Sequence, residues 1–262
     1  MENKNLQREL SIGEILSQTF NLYSRNFVQY FIPFLAAGIL TGLVTLAVTS
    51  AVVIPARPVH ASSQQLLANL IATLTSLLLS GIVSWIASSI ATGITIKFTS
   101  DMLEKGQANL QTSFTFTLPK LLSLLAASII TGILIVLGCI ALVVPGVILA
   151  LMFSLVYPAI RLEGTGVLGS LSRSRVLVSN RWLKTFGLLL LLAIIVYAVN
   201  GVFVFVAFVL FSGPLGVVGP LISSILTALI TPIFAIAITL YYYSMKARTL
   251  PPPPPPPPTQ TF

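Results

Sequence analysis

Residues 183–211 read LKTFGLLLLLAIIVYAVNGVFVFVAFVLF, a run in which Lys184 is the one charged side chain. A helix needs about 20 apolar residues to cross the hydrocarbon core of a bilayer, so this run predicts a transmembrane span. Over all 262 residues, 56% are hydrophobic and 8% are charged, whereas soluble domains carry about 25% charged residues. The composition excludes a soluble catalytic domain and a disordered chain. It predicts an all-α, polytopic integral membrane bundle.

Six apolar runs along the chain are candidates for such spans. Pro145-Gly146 leaves room only for a tight hairpin between the third and fourth runs, and Ser212-Gly213-Pro214 separates the last two. The second run is longer than a crossing requires, so its early part is expected to lie along the membrane interface. The spans are predicted over residues 27–54, within 66–97, about 118–143, 147 to about 160, 183–211 and 217–243.

The membrane domain as a whole is predicted over residues 11–248. The polar N-terminal tail (1–10) lacks the apolar segment of a secretory signal peptide, so no cleavage is expected there. The C-terminal tail (249–262) contains eight consecutive prolines from Pro251 to Pro258, which predict a stiff polyproline II rod. This tail is interpreted as a solvated spacer, or alternatively as a ligand for an aromatic-grooved domain.

Two amphipathic helices are predicted to lie in the headgroup plane, over residues 11–26 and 166–180. Ser11 and Glu14 have the spacing of a capping box, which satisfies backbone N–H groups at a helix start. The two segments also align with each other at an offset of 155 residues. Each ends in a polar, basic elbow and an aromatic residue, Ser24-Arg-Asn-Phe27 in the first and Ser179-Asn-Arg-Trp182 in the second.

This alignment predicts a parallel internal repeat, because four spans intervene and both copies enter the bilayer from the same side. The alternative is that any interfacial helix before a span has this pattern.

The positions of Lys and Arg predict the orientation. Arg57 lies on one side of the six-span topology and the other cations lie on the opposite side. By the positive-inside rule, both termini are expected in the cytoplasm and the protein in the cell membrane.

The net charge of +8 is interpreted as attraction to anionic lipids of the inner leaflet. No nucleic-acid partner is expected, because the chain has no basic soluble module. A protein partner is left open. Binding of anionic lipid is predicted for the second amphipathic helix, where Arg173, Arg175 and Arg181 would face headgroups and Trp182 would sit at the interfacial depth that indole prefers. An apolar arc is expected to enter the acyl boundary; it comprises Val167, Leu168, Leu171, Val178 and Trp182.

Small residues inside the first two spans predict helix packing. Gly38 and Gly42 form a G-x-x-x-G pair, interpreted as a contact within the subunit, with a dimer contact as the alternative. A ladder of hydroxyl side chains repeats every four residues in the second span. It is interpreted as a packing face, with a polar path for a solute as the alternative, although no ionisable residue accompanies it. The ladder comprises Ser76, Ser80, Ser84, Ser88 and Thr92.

The segment Tyr157-Pro-Ala-Ile-Arg-Leu-Glu163 has the highest density of polar and helix-breaking residues within an apolar run. Pro158 is expected to kink the short fourth span, because proline removes a backbone hydrogen bond and clashes with the preceding turn. Arg161 and Glu163 would then emerge at the cytoplasmic surface beside the second amphipathic helix. One interpretation is an exposed ion-pair cluster of little energetic weight. The other is that the acidic residue fixes the kinked helix relative to the basic helix.

Neither a metal site nor a cofactor site nor a catalytic residue is predicted. His60 is the one histidine and lies without Cys, Asp or Glu neighbours, whereas a metal site needs several ligands. Cys139 is interpreted as a small buried apolar residue. The motifs of nucleophilic, phosphate-binding and zinc enzymes are all missing from the sequence. The chain is therefore predicted not to be an enzyme.

Several of these segments carry a resemblance to a known family. Val144-Pro-Gly-Val-Ile-Leu-Ala150, Pro158, Glu163 and Ser170-Leu-Ser-Arg-Ser174 together resemble the membrane domain attached to some bacterial glycerophosphoryl diester phosphodiesterases, and its stand-alone relatives of unknown function. The resemblance extends over most of residues 11–248. It implies a membrane module whose catalytic partner domain, with metal-binding Glu, Asp and His residues, is separate. This chain contains no such domain.

Two functions are open at this point. The first is a non-catalytic membrane module that organises lipid or a protein partner. The second is a transporter or permease for a small solute or a lipid, which the hydroxyl ladder and the parallel repeat would favour. An integral membrane enzyme acting on lipids would need a polar cluster near the interface, and the sequence indicates none.

Overall fold

A computed structural model of the protein describes residues 8–51, 62–210 and 218–249. These ranges are almost entirely helical and contain no strand. Several predicted features fall outside them: the polar tail up to Gln7, the outer loop with Arg57 and His60, the turn at Ser212-Gly213-Pro214, and the prolines of the C-terminal tail. The helices are α1 Ile12–Arg25, α2 Phe27–Ala51, α3 Ser63–Lys105, α4 Leu110–Thr117, α5 Leu121–Ala141, α6 Val143–Met152, α7 Val156–Pro158, α8 Val167–Val178, α9 Trp182–Leu210 and α10 Gly219–Thr249.

Six helical segments are long and apolar enough to cross a membrane, which fits a multi-pass membrane protein. They correspond in order to the six predicted runs. Their bounds are Phe27–Val48, Ser63–Lys105, Leu110–Ala141, Val143–Glu163, Trp182–Leu210 and Leu221–Thr249.

The second and third spans begin differently from the prediction. α3 is one helix over 43 residues without a break. Its early part therefore has the same direction as the rest of the span and is not a separate interfacial helix. The third span begins earlier than expected, at Leu110, because α4 runs into α5 through a 3-10 turn at Leu118–Lys120. Pro119 lies in that turn, where its lack of an N–H interrupts the α-helical hydrogen bonding between α4 and α5.

The centre of the bundle is the C-terminal half of α10. From Ile236 to Met245 nearly every side chain is buried, and α10 packs against α1, α2, α3 and α9. Hydroxyl groups join it to its neighbours: Tyr241 bonds Thr185 at 2.6 Å and Tyr243 bonds Ser100 at 2.8 Å.

Close approaches of helices occur at glycines. Gly38 and Gly42 of α2 lie against α10, where an added Cβ would come within 2.8 Å of the Ser224 backbone oxygen and 2.9 Å of the Leu221 Cα, respectively. Gly138 and Gly146 bring α5 and α6 together in a tight hairpin that turns at Leu142. Small residues permit this distance between backbones. The predicted hairpin is present, but Pro145 and Gly146 lie inside α6, so the fourth span begins at Val143 and not at residue 147.

Cys139 is exposed, contrary to the expectation that it is a small buried residue. It lies at the hairpin between α5 and α6, where its Sγ is close to Gly146, and its neighbour Ile140 is also exposed. An apolar run in a membrane helix does not distinguish lipid-facing from protein-facing positions, because both surroundings are apolar.

Candidate functional site

The fourth span is broken three residues before Pro158. α6 ends at Met152, and the chain turns at residues 153–155 before α7 begins. A proline at 158 cannot donate to the carbonyl of residue 154, so the helix is interrupted there. After α7 the chain makes a π-helical turn over Ala159–Glu163, which ends at Gly164 with a left-handed φ of 67°.

Ser174 of α8 holds this break together. Its hydroxyl accepts a hydrogen bond from the Leu155 backbone N–H at 3.1 Å and donates one to the Met152 carbonyl at 2.6 Å. Ser174 is completely buried. One side chain from α8 therefore satisfies both the donor and the acceptor that the break leaves without helical partners.

Glu163 fixes α8 from the other end of the turn. Its carboxylate accepts two hydrogen bonds from the Arg173 Nε, at 2.8 and 3.1 Å, and a third from the Nη2 at 2.9 Å. The Lys246 ammonium lies 4.0 Å from the same carboxylate. Glu163 thus joins the broken span, α8 and the end of α10, which is the orienting role that one interpretation of the sequence predicts for it.

Glu9 has an equivalent position beside α9. It accepts hydrogen bonds from the Arg181 guanidinium at 3.0 Å and from the Lys184 ammonium at 2.5 Å. The hydrogen bond from Arg181 is the main cause that lowers the pKa of Glu9 to about 2, and Lys184 adds to it. The charged form of Glu9 is therefore favoured over the whole physiological range.

Asp101 repeats the pattern on α3. Lys97 and Lys105, one turn before and one turn after it, contact the same carboxylate oxygen at 2.8 and 2.7 Å. Glu9, Asp101 and Glu163 are each shared by two cations, so each group keeps one net positive charge. Contacts between the ends of α3, α8, α9 and α10 place all three at the same end of the bundle.

Arg161 is buried, in contrast to the surface position that the sequence predicted for it. It is only 1% exposed. Its Nη1 donates to the Phe116 carbonyl at 3.1 Å and its Nη2 donates to the Thr117 hydroxyl at 2.6 Å. The π-helical turn after Pro158 directs this side chain inward to the end of α4, away from Glu163. Arg161 and Glu163 therefore make no ion pair with each other.

One known family covers most of the helical part of the chain. A family model described as a domain of unknown function, DUF7847, matches residues 25–245. The chain belongs to this family. Comparisons with curated proteins and with solved structures gave no match.

The family assignment covers the broken span, α8 and the carboxylates at 101 and 163. It carries no activity with it, and it gives no link to the phosphodiesterase membrane domain, so that resemblance stays a prediction. Within the residues that the structure describes, no group of three or more His, Cys, Asp or Glu is arranged to hold a metal ion.

The four residues predicted to bind lipid differ in their surroundings. Arg173 and Arg181 are held by Glu163 and Glu9, whereas Arg175 is exposed. Trp182 is half-buried against the central core. The expected apolar arc is divided: Leu171 and Val178 are buried against the protein, and Leu168 is 75% exposed. Val176, which the arc did not include, is also exposed.

The hydroxyl ladder of α3 divides in a similar way. The Ser80 hydroxyl bonds the Ser76 carbonyl within its own helix at 2.7 Å. Ser84 and Ser88 line a cavity of about 170 Å³ between α2, α3 and α10, together with Gly38 of the G-x-x-x-G pair. Thr92 lies half-buried one turn further along α3.

The burial pattern of α1 matches that of α8 at the offset of the predicted repeat. Ile15, Thr19 and Leu22 are the buried residues of α1. Positions 155 residues later are Ser170, Ser174 and Leu177, and all three are buried as well. The two helices therefore bury equivalent positions, as expected both for a repeat and for any interfacial helix that precedes a span.

Sequence reasoning assigned Lys97, Lys120, Phe116 and Thr117 no functional role. The structure brings these residues together with Arg161, from three segments far apart in the chain. The one available signal was the pair of lysines that flank the second connection, which the sequence explains equally well by membrane topology.

The Glu9 cluster makes a prediction about pH. Because the pKa of Glu9 is lowered to about 2 in the folded protein, its contribution to stability is fully present above the ordinary pKa of 4.5 and is lost as the pH falls toward 2. We expect wild-type protein to unfold at a higher temperature than Glu9→Gln between pH 5 and 8, measured by thermal unfolding in detergent. The difference should shrink steadily below pH 4.5. A difference that stays constant down to about pH 2 would contradict the ion pair.

Proposed function

We propose that this protein is a non-catalytic integral membrane module that holds anionic phospholipid at the cytoplasmic leaflet. The proposed binding surface is the basic surface around α8, defined as Arg173, Arg175, Arg181, Trp182, Lys184 and Lys246. In this proposal α1 and α8 lie at the membrane interface and both termini are cytoplasmic, in accord with the bias of Lys and Arg to one end of the bundle.

The observation that carries this proposal is the sharing of each carboxylate by two cations. Glu163 with Arg173 and Lys246, and Glu9 with Arg181 and Lys184, each retain one positive charge. The carboxylates hold these long side chains in defined positions, which reduces the entropy lost when they bind a ligand. A fixed surface with net positive charge is suited to phosphate headgroups.

Arg175 and Trp182 complete the proposed surface. Arg175 is exposed at the last turn of α8, so its guanidinium is available to a headgroup. Trp182 begins α9 directly after the elbow at Arg181, where an indole ring can mark the depth of the interface. The exposed Leu168 and Val176 on α8 supply apolar contacts for acyl chains.

Lipid retention tests this function. Replacing Arg175, Lys184 and Lys246 with glutamine removes the excess cations and leaves the Arg173–Glu163 and Arg181–Glu9 pairs intact. Each basic residue near an anionic leaflet contributes about 1 kcal/mol, so anionic lipid retained by the purified protein should fall by up to about two orders of magnitude. Native mass spectrometry of the purified protein, with the bound anionic and neutral lipids counted separately, measures this.

A matched control uses single substitutions. Arg25→Gln removes an exposed arginine from the last turn of α1, as Arg175→Gln does from the last turn of α8. We expect Arg25→Gln to leave lipid retention unchanged and Arg175→Gln to reduce it. Equal retention in the triple variant and the wild type would refute the lipid-binding function and leave these cations to topology or to a protein partner.

One observation favours the second candidate function, a permease for small polar solutes. The cavity between α2, α3 and α10 is lined by hydroxyl side chains at the depth of the spans, and such groups can solvate a neutral solute without a charge. Solute flux into proteoliposomes that does not depend on anionic lipid would favour this function over the lipid-binding one. The hydroxyl residues are Thr41, Ser84, Ser88, Ser223, Ser224, Thr227 and Thr231.

A further inference from the structure

Three cations converge on the ring of Phe116. The ammonium groups of Lys97 and Lys120 lie 4.9 and 4.8 Å from the ring centroid, and the Arg161 guanidinium carbon lies 5.0 Å from it. Any two of the three charges are therefore within about 10 Å of each other, one Debye length at 0.1 M salt, so their mutual repulsion is only partly screened. We call these three cations and Phe116 the Phe116 cluster.

The cluster is built by separate elements of the fold. Lys97 comes from α3, Lys120 from the 3-10 turn before α5, and Arg161 from the π-helical turn after Pro158. Gly93 of α3 provides the space: a Cβ there would lie 2.8 Å from the Thr117 Cγ2 and 3.6 Å from the Arg161 Nε. The Arg161 side chain can therefore cross close to the α3 backbone.

Among the residues that the structure describes, negative charge does not balance this cluster. Asp101 contacts Lys97 but is shared with Lys105. The other acidic residues of the described ranges are engaged elsewhere: Glu9 with Arg181, Glu14 with Arg8, Glu163 with Arg173, and Glu104 with the Tyr243 hydroxyl. Lys120 and Arg161 form no ion pair with any residue that the structure describes.

One donor of the cluster is buried without a partner. Arg161 uses its Nη1 and Nη2 on the end of α4, and its Nε is buried with no hydrogen-bond acceptor. A buried charged donor without an acceptor is costly, and such sites often mark the place of a ligand. The guanidinium Nε and the two lysine ammonium groups are donors of the type that bind phosphate oxygens.

From this geometry we propose that the Phe116 cluster binds a phosphate group, and that this group belongs to a membrane phospholipid. The lipid source is favoured because Phe116 is 40% exposed and two exposed apolar residues follow it, Leu118 in the 3-10 turn and Leu122 in α5. Acyl chains of a bound lipid can lie along this face while its phosphate reaches the cations. The residues involved differ from those of the basic surface around α8, so this site does not depend on the proposed function.

The test is a titration of the full-length protein in a neutral detergent with a short-chain phosphatidylglycerol and, separately, with inorganic phosphate. Phosphorus NMR or calorimetry gives the Kd. Lys120→Gln should weaken binding of the short-chain lipid by at least about tenfold, the effect of losing one charge-assisted hydrogen bond. Lys120→Arg should restore most of it. Arg161→Lys should also weaken binding, because lysine cannot hold the end of α4 and the phosphate together.

Arg25→Gln is the matched control. It removes one positive charge from an exposed position in the last turn of α1, and Arg25 contacts neither the Phe116 ring nor Asp101. Its Kd should stay within about twofold of the wild-type value, less than half a kcal/mol by the usual conversion. Lys120 is only half-buried, so Lys120→Gln is expected to retain the wild-type fold. Thermal unfolding of each variant checks this.

Each outcome is decisive. Selective loss in Lys120→Gln with retention in Arg25→Gln supports the site. Inorganic phosphate that binds as tightly as the lipid, with the same dependence on Lys120, supports a phosphate site and overturns the lipid source. Equal weakening in Arg25→Gln and Lys120→Gln overturns the proposal in favour of diffuse attraction. Failure of the wild type to bind either probe also overturns it.

Discussion

Ser174→Ala should lower the free energy of unfolding by about 2–4 kcal/mol. The substitution removes the hydroxyl that bonds both the Leu155 N–H and the Met152 carbonyl at the break before Pro158. Both backbone groups then remain buried without partners, and each such group costs about 1–3 kcal/mol. The expected measurement is denaturant or thermal unfolding of the purified protein in detergent micelles.

Ser172→Ala is the control for this prediction. Ser172 lies on the same helix, two residues earlier, and is exposed. Its substitution should change stability by less than about 0.5 kcal/mol, as most surface changes do. If both variants were equally stable, Ser174 would not be what satisfies the broken span, and α8 would be held by the Arg173–Glu163 pair alone.

Gly38→Leu should destabilise the protein by about 3 kcal/mol or prevent it from folding. A Cβ at this position would lie 2.8 Å from the backbone oxygen of Ser224 on α10. A backbone atom cannot move aside as a flexible side chain does, so the two helices must separate, and overpacking of this kind is strongly destabilising. The folded fraction recovered in detergent, measured by size-exclusion chromatography and helical circular dichroism, reports the effect.

Gly132→Leu is the matched control, because Gly132 also lies in a spanning helix but has nothing within 4 Å of an added Cβ. We expect it to fold as the wild type does. The same pair of variants separates the two interpretations of the G-x-x-x-G pattern. A Gly38→Leu protein that folds with wild-type stability but changes its oligomeric state would support a contact between copies over the contact with α10.

Class and span number were accessible from the sequence because both follow from local composition. A run such as residues 183–211 must be helical in a bilayer, since every backbone polar group has to be paired within the segment. The capping box at Ser11 and Glu14 is likewise local, and the structure confirms it, with the Ser11 N–H bonding the Glu14 carboxylate at 2.7 Å. The boundaries of α3 and α4 were harder to predict, because polar residues at the ends of a span do not indicate where the helix begins.

Local sequence patterns do not predict which groups surround a charged side chain. Arg161 was expected at the surface beside Glu163, but a π-helical turn directs it inward to the Phe116 carbonyl. Cys139 was expected inside and is exposed. Apolar surroundings in a membrane protein are lipid on one side and protein on the other, so hydrophobicity alone does not assign a residue to either.

The sequence by itself determined that the chain is an all-helical, multi-pass membrane protein with its cations concentrated at one end, because length, hydropathy and charge are properties of each segment. Only the tertiary structure decided which charges meet. Glu9 with Arg181, Arg173 with Glu163, and the three cations at Phe116 are brought together from distant segments. The physical reason is that an ion pair requires a distance of a few ångströms, and that distance is set by the packing of the helices and by the break before Pro158.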